Sequence, residues 1–203
     1  MSDKRKRNKE AFRREILEAA RELFSADGYG SFSMRKLARR IGYSPTTIYL
    51  YFRDKDELLF RLCEDFFGGL YKRLLEIVEE GAEPSATLRK VLLAYVSFGL
   101  AHPEHYRVAY FTNPSVYGSP DEFLLRDTVS RAVYLRYRDL IGRCRDDGVL
   151  ALKDVDTLSQ ILWSGVHGIV SAALFTRDFP LVEPVVLAEG MVDGLLAGFR
   201  PPR

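Results

Sequence analysis

The chain has 203 residues, of which 47% are hydrophobic and 29% charged. This composition predicts a globular protein with a substantial core and excludes a disordered chain. Two cysteines are too few for a disulfide framework or a thiolate metal site, so structural thiols in a reducing compartment are expected. The basic start MSDKRKRNKE is followed by no apolar segment, so no secretory signal is expected and the chain is predicted to be cytoplasmic.

The net charge of +2 is distributed unevenly along the chain. Residues 1–56 contain 14 Lys and Arg against 8 Asp and Glu, whereas residues 57–203 contain 16 against 20. A charge run is most often only a solvated surface. An excess of cations confined to the first part of the chain is nevertheless the pattern expected when that part alone meets nucleic acid.

Two amphipathic helices are predicted at the start of the chain. Apolar residues recur at helical spacing from Ile16 to Phe24, within a helix over 9–27 that Gly28 ends. In the segment SFSMRKLARRIGYS, Ser33 is a suitable N-cap for a second helix. Gly42 follows its last turn, where a left-handed backbone favours glycine.

The next segment, SPTTIYLYF, combines helix-start residues with an uncharged outer face. Ser44 can accept the free N–H groups of a first turn, and Pro45 suits the first helical position. A helix that begins there turns Ile48, Tyr51 and Phe52 inward, and its outer side chains carry hydroxyl and methyl groups without charge. Two interpretations follow: a helix buried on both sides, or a surface that binds another molecule.

The preceding helix and its glycine turn favour the second interpretation. In a helix-turn-helix unit the second helix lies in the major groove of DNA. Thr methyls and Leu can contact thymine methyls, while hydroxyls can bond base edges or phosphates. The flanking cations are Arg35, Lys36, Arg39, Arg40, Arg53 and Lys55.

Residues 28–59, GYGSFSMRKLARRIGYSPTTIYLYFRDKDELL, closely resemble the DNA-binding domain of TetR-type transcriptional repressors. The motif T-x-Y-x-Y-F, from Thr47 to Phe52, followed by Lys55 and two leucines carries the resemblance. The chain departs from the family pattern at Tyr43, where a small β-branched residue is usual, and at Leu50, where a polar residue is frequent.

This resemblance implies a set of DNA contacts. Tyr51 has two expected roles, because its ring can pack inward while its hydroxyl reaches a phosphate. Lys55 is expected to bind phosphate together with the N–H groups that begin the fourth helix. The predicted DNA-binding residues are Arg35, Pro45, Thr46, Thr47, Tyr49, Leu50, Tyr51 and Lys55.

The rest of the chain is also predicted to be helical, which gives an all-α protein. A long fourth helix begins at Asp54 and continues to Ile77, with a weak step at Gly68 and Gly69. We expect an N-terminal three-helix domain over 1–53 and a C-terminal helical domain for regulation and dimerisation over 54–203. Further helices are predicted over 86–101, 104–111, 121–146, 155–177 and 183–199.

The segment 157–176 lacks formal charge over a length that could span a membrane. Gln160, His167 and several Ser and Gly make it too polar for a lone span, so a buried helix and no membrane partner are expected. Its small residues permit close packing of another helix. By resemblance to the family, the last two helices form a homodimer interface, and the alternative is that they only complete the monomer core. The sequence WSGVHG also resembles a Trp-His-Gly subgroup of the family.

Aromatic residues and histidines are frequent in the middle of the chain. The family resemblance implies a small-molecule pocket there, suited to a hydrophobic or aromatic effector of unknown identity; ordinary core packing is the alternative for each residue. No metal is expected, because no cysteine or carboxylate lies at zinc-site spacing from the histidines. The predicted ligand-binding residues are Phe66, Tyr95, Phe98, His102, Tyr106, Tyr110, Tyr134, Trp163 and His167.

The sequence lacks the motifs of common enzyme classes. It contains no phosphate-binding glycine loop, nucleophile elbow, zinc-binding helix or kinase signature, and no cofactor is expected. The function predicted is a homodimeric repressor that binds a palindromic site in double-stranded DNA and is released by an effector. The alternatives are an effector-independent DNA-binding protein and an α-helical enzyme.

Overall fold

A computed structural model describes residues 2–112, 115–151, 154–176 and 178–201, with side chains from Arg7 onward. Within these ranges all regular secondary structure is helical, which confirms the all-α prediction. The helices are α1 (Ser2–Ser31), α2 (Met34–Arg40), α3 (Pro45–Tyr49), α4 (Lys55–Glu79), α5 (Pro84–Ala101), α6 (Pro103–Phe111), α7 (Pro120–Leu125), α8 (Val129–Asp146), α9 (Val155–Phe175) and α10 (Pro184–Gly198).

The chain divides into two compact units. The N-terminal unit comprises Met1–Phe66 and Glu104–Arg126, and the C-terminal unit comprises Phe67–Pro103 and Asp127–Arg203. The helix α4 contributes its first half to the N-terminal unit and its second half to the C-terminal unit. Each unit has buried apolar residues of its own.

In the N-terminal unit, α1 packs on α2, and α2 packs on α3. Ile16 and Phe24 of α1, Leu37 of α2 and Ile48 of α3 are almost completely buried, as their spacing predicts. The helix α1 is longer than the predicted 9–27, and its backbone breaks at Gly28, where φ is 72°. This left-handed conformation costs glycine little, so the prediction that Gly28 interrupts the helix is confirmed.

In the C-terminal unit, α5, α8, α9 and α10 pack against one another. The contact between α8 and α9 includes a hydrogen bond of 3.1 Å from the Tyr137 hydroxyl to the Ser159 carbonyl oxygen. Burial raises the pKa of Tyr137, which keeps this donor protonated. Leu88, Leu158 and Leu162 are fully buried in this unit.

Both cysteines are buried free thiols. Burial raises the pKa of Cys63 to about 12 and that of Cys144 to about 11, with the nearby carboxylates Glu64 and Asp147 acting in the same direction. Each is therefore a protonated thiol at neutral pH, as expected of a structural cysteine.

One helix prediction needs correction. The single helix predicted over 121–146 is two helices, because the chain is extended at Arg126 and restarts after Thr128, whose hydroxyl accepts a hydrogen bond of 3.2 Å from the Arg131 N–H. The single long fourth helix is confirmed, and α4 continues through Gly68 and Gly69. A Cβ at Gly69 would lie 2.7 Å from a ring carbon of Phe98, so this glycine allows close packing.

The helix α9 was expected to be buried, and the structure corrects this. Only 33% of the most apolar stretch of this helix is buried inside the chain, and Trp163 and Gly168 are exposed. Among the described residues, α9 is the one helix long and apolar enough to cross a membrane by length and composition. The predicted end at Arg177 lies outside the described residues.

Candidate nucleic-acid interface and effector region

The turn between α2 and α3 is built by three short-range features. The Ser33 hydroxyl accepts a hydrogen bond from the Lys36 N–H at 3.2 Å and so caps α2. Gly42 has a φ of 74°, which turns the chain after α2. The Ser44 hydroxyl then caps α3 by accepting from the Thr47 N–H at 3.1 Å. Both caps and the glycine turn confirm the sequence predictions for this segment.

The helix α3 and residues 50–52 directly after it expose an uncharged outer face. Ile48 and Phe52 are buried, whereas Tyr49 is 52% exposed and Leu50 is 77% exposed. Thr46 is exposed on the same short segment. An apolar side chain as exposed as Leu50 adds little to the core of its own unit, so this face is suited to contact with another molecule.

The other predicted DNA-binding residues on α3 and directly after it have partners in the N-terminal unit. Pro45 and Thr47 are half-buried, and the Thr47 Oγ1 lies 2.8 Å from the Ser44 Oγ. Tyr51 is half-buried, with its ring edge-on to that of Phe12 at a centroid distance of 5.0 Å. The Tyr51 ring therefore packs on α1, in agreement with the inward half of its predicted role.

The cations near α3 differ in their partners. Lys36 lies 2.5 Å from an Asp27 oxygen, and Arg40 lies 2.8 Å from a Glu22 oxygen. Arg35 and Arg39 are exposed and form no ion pair with the described residues. The guanidinium groups of these two residues are thus the ones most open to an added anion.

The first turn of α4 is already capped by carboxylates. Asp54 accepts a hydrogen bond of 2.8 Å from the Glu57 N–H, and the Glu57 carboxylate accepts one of 2.8 Å from the Arg53 N–H. The hydrogen bond from Glu57, followed by that from Arg53, lowers the pKa of Asp54. The Glu57 N–H is therefore not available to the phosphate that was predicted to bind at the start of this helix.

Lys55 is held by Tyr29, a residue that sequence reasoning did not select. The Lys55 Nζ lies 3.2 Å from the Tyr29 carbonyl oxygen and 3.9 Å from the centroid of the Tyr29 ring. The Tyr29 hydroxyl donates a hydrogen bond to Asp56. The aromatic residue directly after Gly28 was visible in the sequence, but nothing in it indicated a contact 26 residues away.

The nine predicted ligand-binding residues are divided between the two units. In the N-terminal unit, Phe66 is edge-on to Tyr106 and Tyr110 at 6.0 and 6.1 Å, and Tyr106 is 4.8 Å from Tyr110. The structure therefore brings these three residues together. Tyr106 is completely buried, which is also what core packing predicts.

In the C-terminal unit, several of the predicted residues contact one another. The Tyr95 hydroxyl lies 3.0 Å from the His167 Nδ1, and the Trp163 ring stacks on His167 at 4.7 Å. Burial lowers the pKa of His167. The Phe98 ring lies 4.5 Å from His102, and the Tyr134 hydroxyl donates to Asp156 at 3.0 Å.

Arg136 of α8 is a further residue that sequence reasoning missed. Its Nε is buried and has no hydrogen-bond partner among the described residues. By contrast, Arg138 forms an ion pair with Asp156. Arg89 donates two hydrogen bonds to Asp193, at 2.6 and 2.9 Å. Tyr134, Arg138 and Tyr137 contact α9, and helical spacing puts Arg136 on the opposite flank of α8 from Tyr134 and Arg138.

A cavity of about 280 Å³ lies in the C-terminal unit between α5, the end of α8 and α10. None of the nine predicted ligand-binding residues lines it. Its wall combines the Arg89–Asp193 ion pair with apolar side chains. The lining residues are Ser85, Ala86, Leu88, Arg89, Cys144, Val149, Leu150, Asp193, Leu196 and Arg200.

The outer faces of α9 and α10 expose apolar and small residues. Val185, Val186 and Met191 are 48%, 56% and 42% exposed. A Cβ at Gly168 would have no atom within 4 Å, whereas one at Gly165 would lie 2.9 Å from Leu195. Gly165 of α9 therefore faces α10, whereas Gly168 lies on a side of α9 that is open.

The helix α3 is capped, follows a glycine turn after α2, and exposes an uncharged face. This is the arrangement of a helix-turn-helix DNA-binding protein. Residues 16–62 match the model of bacterial regulatory proteins of the tetR family, and residues 88–195 match the C-terminal domain of tetracyclin repressor-like proteins. The chain belongs to the TetR family of transcriptional regulators.

Among its relatives is a fatty acid metabolism regulator protein of Bacillus subtilis (strain 168), 32% identical over 83 residues, or 41% of this chain and 43% of that protein. The alignments span less than half the length of the curated relatives that the chain matches.

Solved structures share the fold over nearly the whole chain. A TetR family transcription regulator from Marinobacter aquaeolei VT8 has a TM-score of 0.75 at 20% identity, covering 94% of this chain and 97% of that one. The regulator FadR from Bacillus subtilis, solved in complex with stearoyl-CoA, has a TM-score of 0.71 at 19% identity, covering 91% and 98%.

Proposed function

We propose that this TetR-family regulator is a cytoplasmic repressor that binds a near-palindromic operator as a homodimer and is released by a hydrophobic effector. The observation that carries the proposal is the exposed, uncharged face of α3 behind a capped glycine turn. Two such helices related by a twofold axis would read half-sites about 34 to 36 Å apart, or a multiple of that spacing.

The DNA contacts proposed are those predicted from the sequence. Tyr49, Leu50 and Thr46 are exposed and suited to base edges and thymine methyls. Arg35 has no ion pair among the described residues and is suited to a phosphate. The Thr47 hydroxyl lies 2.8 Å from the hydroxyl of Ser44, the N-cap of α3. Thr47 therefore supports the cap and also borders the outer face of α3.

The homodimer is proposed to form through α9 and α10. Their exposed valines, Met191 and the open position at Gly168 support this, because small residues allow helices to approach closely and exposed apolar residues favour burial in an interface.

Two further points stay predictions. One is a functional boundary between residues 53 and 54, and the other is the Trp-His-Gly resemblance at Trp163–Gly168.

The effector is proposed to be a long-chain acyl compound with an acidic group. The fatty acid regulator among the relatives and the fold neighbour solved with stearoyl-CoA support the acyl chain. The Arg136 Nε, buried without a hydrogen-bond partner among the described residues, supports the acidic group, because an anion would supply that partner. The aromatic residues of the C-terminal unit, Tyr95, Phe98 and Trp163, would contact the chain.

Effector and operator are proposed to be coupled through α4. This helix begins at Lys55, near the proposed DNA contacts, and continues without a break into the C-terminal unit. A coupling of about 1 to 3 kcal/mol would change operator affinity roughly 5- to 150-fold. Operator binding must then weaken effector binding by the same factor.

The DNA-binding proposal is tested by recovering bound fragments from a genomic pool and measuring their affinity. We expect one near-palindromic sequence to be enriched, and expect its binding to be lost when Thr47, Tyr49 and Lys55 are all changed to Ala. Lys72→Ala, which removes an exposed lysine of the C-terminal half of α4, is the matched control for loss of charge. Unchanged binding by the triple variant contradicts the proposal.

The effector proposal is tested with stearoyl-CoA, octadecanoate and octadecanol, each titrated with and without operator. We expect the two anionic compounds, stearoyl-CoA and octadecanoate, to bind more tightly than the alcohol and to oppose the operator. In Arg136→Met the two anionic compounds should lose this advantage, while octadecanol binds as before. Equal affinity with and without operator for every compound favours the effector-independent alternative.

A further inference from the structure

Among the residues that the structure describes, Lys55 forms no ion pair. Its Nζ donates to the Tyr29 carbonyl oxygen at 3.2 Å and lies 3.9 Å from the centroid of the Tyr29 ring. Both partners are neutral groups. A lysine ammonium has three N–H donors, so one hydrogen bond to a carbonyl leaves donors for another ligand.

Three carboxylates surround Lys55 in sequence, and each has another partner. Asp54 accepts from the Glu57 N–H and lies 2.7 Å from the Arg53 Nε. Glu57 accepts from the Arg53 N–H, and Asp56 accepts from the Tyr29 hydroxyl. None of these carboxylates forms an ion pair with Lys55. Such a pair would compete directly with a phosphate for the ammonium.

Tyr29 is fixed by the elements on both sides of it. It follows Gly28, whose φ of 72° redirects the chain at the end of α1. The Tyr29 ring stacks on Phe24 with a centroid distance of 6.2 Å, and Phe24 in turn stacks on Phe32 at 4.0 Å. Phe24 is almost completely buried. The carbonyl, ring and hydroxyl of Tyr29 are therefore presented to the start of α4 from a packed surface.

We propose that Tyr29 is a positioning residue for DNA binding: it holds Lys55 with neutral contacts and occupies Asp56 with its hydroxyl, so that the ammonium stays available to a backbone phosphate. The proposal rests on the proposed role of Lys55 as a phosphate contact. It assigns the Tyr29 hydroxyl an electrostatic role, because removing that hydroxyl frees Asp56 to pair with Lys55.

The test is the operator affinity of the full chain, measured as a function of salt concentration. Each protein–phosphate contact contributes about 0.9 to the slope of log K against log salt concentration. Lys55→Met should reduce the slope by about that amount and lower the affinity about 10-fold. Tyr29→Phe keeps the ring and should reduce the slope in the same direction. The double variant Tyr29→Phe/Asp56→Asn should restore the slope, because the competing carboxylate is gone.

The outcomes separate this inference from the proposed function. If Lys55→Met reduces the slope but Tyr29→Phe does not, Lys55 contacts phosphate without help from Tyr29 and the inference is wrong. If Tyr29→Phe weakens binding only through lower stability, the Asp56→Asn change will not restore the slope, and the inference is also wrong. If Lys55→Met leaves the slope unchanged, the phosphate contact itself is overturned, and wild-type protein without a preferred operator overturns the proposed function as well.

Discussion

The outer face of α3 and the outer face of α9 and α10 both expose apolar side chains, but their chemistry differs. At α3, the exposed residues Tyr49 and Leu50 follow Thr46 and Thr47 in sequence, with Arg35 and Arg39 on the preceding helix. On α9 and α10, exposed valines and Met191 accompany glycine and serine, and neither helix contains a lysine or arginine. The first combination suits a polyanion with methyl groups in its groove, and the second suits another apolar surface.

The largest expected effect comes from blocking the face of α9. Gly168→Arg should prevent dimerisation and lower specific operator affinity by about 10³-fold or more, toward nonspecific binding. The side chain should fit within the subunit, because a Cβ at Gly168 meets no atom within 4 Å. Sedimentation and operator titration measure the two effects.

Gly142→Arg is the matched control for this variant. Gly142 lies in α8, and a Cβ there also meets no atom within 4 Å. We expect it to remain dimeric and operator-specific. A folded, monomeric Gly168→Arg that keeps full operator affinity would show that α9 and α10 only complete the subunit.

A smaller effect is expected from the face of α3. Leu50→Ala should change the base preference of the operator by about 1 to 3 kcal/mol at the contacted position, while the free energy of unfolding changes by less than about 0.5 kcal/mol. The control is Leu125→Ala, since Leu125 is 83% exposed in the same unit. Selection of binding sites from a random pool measures the preference, and an identical consensus for both variants would remove Leu50 from the contact surface.

The N-caps of α2 and α3 test whether the outer face of α3 must be held in place by its cap in order to bind the operator. Ser33→Ala and Ser44→Ala should each lower the free energy of unfolding by about 1 kcal/mol, because each removes an N-cap hydrogen bond. Only Ser44→Ala should also weaken operator binding clearly, since Ser44 begins α3 and contacts Thr47. Equal operator affinities at matched stability would mean that the α3 cap is not needed to present this face.

The smallest expected effect is the change in the free energy of unfolding when the pH is lowered and His167 is protonated. Burial lowers the pKa of His167 below its ordinary value of 6.5, so the neutral form is favoured in the folded protein. Its contribution to stability is therefore fully present above pH 6.5 and is lost as the pH falls through the lower folded-state pKa. Urea unfolding at pH 7.5 and 5.5 should show this loss in wild type and less of it in His167→Gln. An equal loss in both proteins would assign the pH dependence to other groups.

The sequence was informative where the decisive contacts are local. The caps Ser33 and Ser44 and the turn at Gly42 act within three or four residues, and all three were predicted. Local signals were also present but underused between α7 and α8. There the capping residues Ser119 and Thr128 begin two helices, whereas the helical spacing of apolar residues suggested one.

The sequence was least informative where function depends on contacts between distant residues. Spacing indicates which side of a helix is apolar, but not which partner covers it, so the nine aromatic and histidine positions could not be assigned to the two units. Arg136 resembles any surface arginine in the segment YLRYRDL, and only the fold shows that its Nε is buried. The hydrogen bond from Lys55 to the Tyr29 carbonyl oxygen connects residues 26 positions apart, and the spacing of apolar residues cannot predict such a contact.

The continuity of α4 also constrains how such a protein can be recombined. Its 25 residues form one helix shared by both units, and an α-helix advances 1.5 Å and turns 100° with each residue. A chimaera that joins this DNA-binding part to the effector part of another family member must therefore keep the two halves of α4 in phase. Deleting one residue at the junction would rotate every later side chain of the helix by 100° relative to the earlier ones, whereas deleting seven would nearly preserve the phase. Loss of response in the one-residue deletion and its retention in the seven-residue deletion would identify α4 as the element that sets the register between binding and regulation.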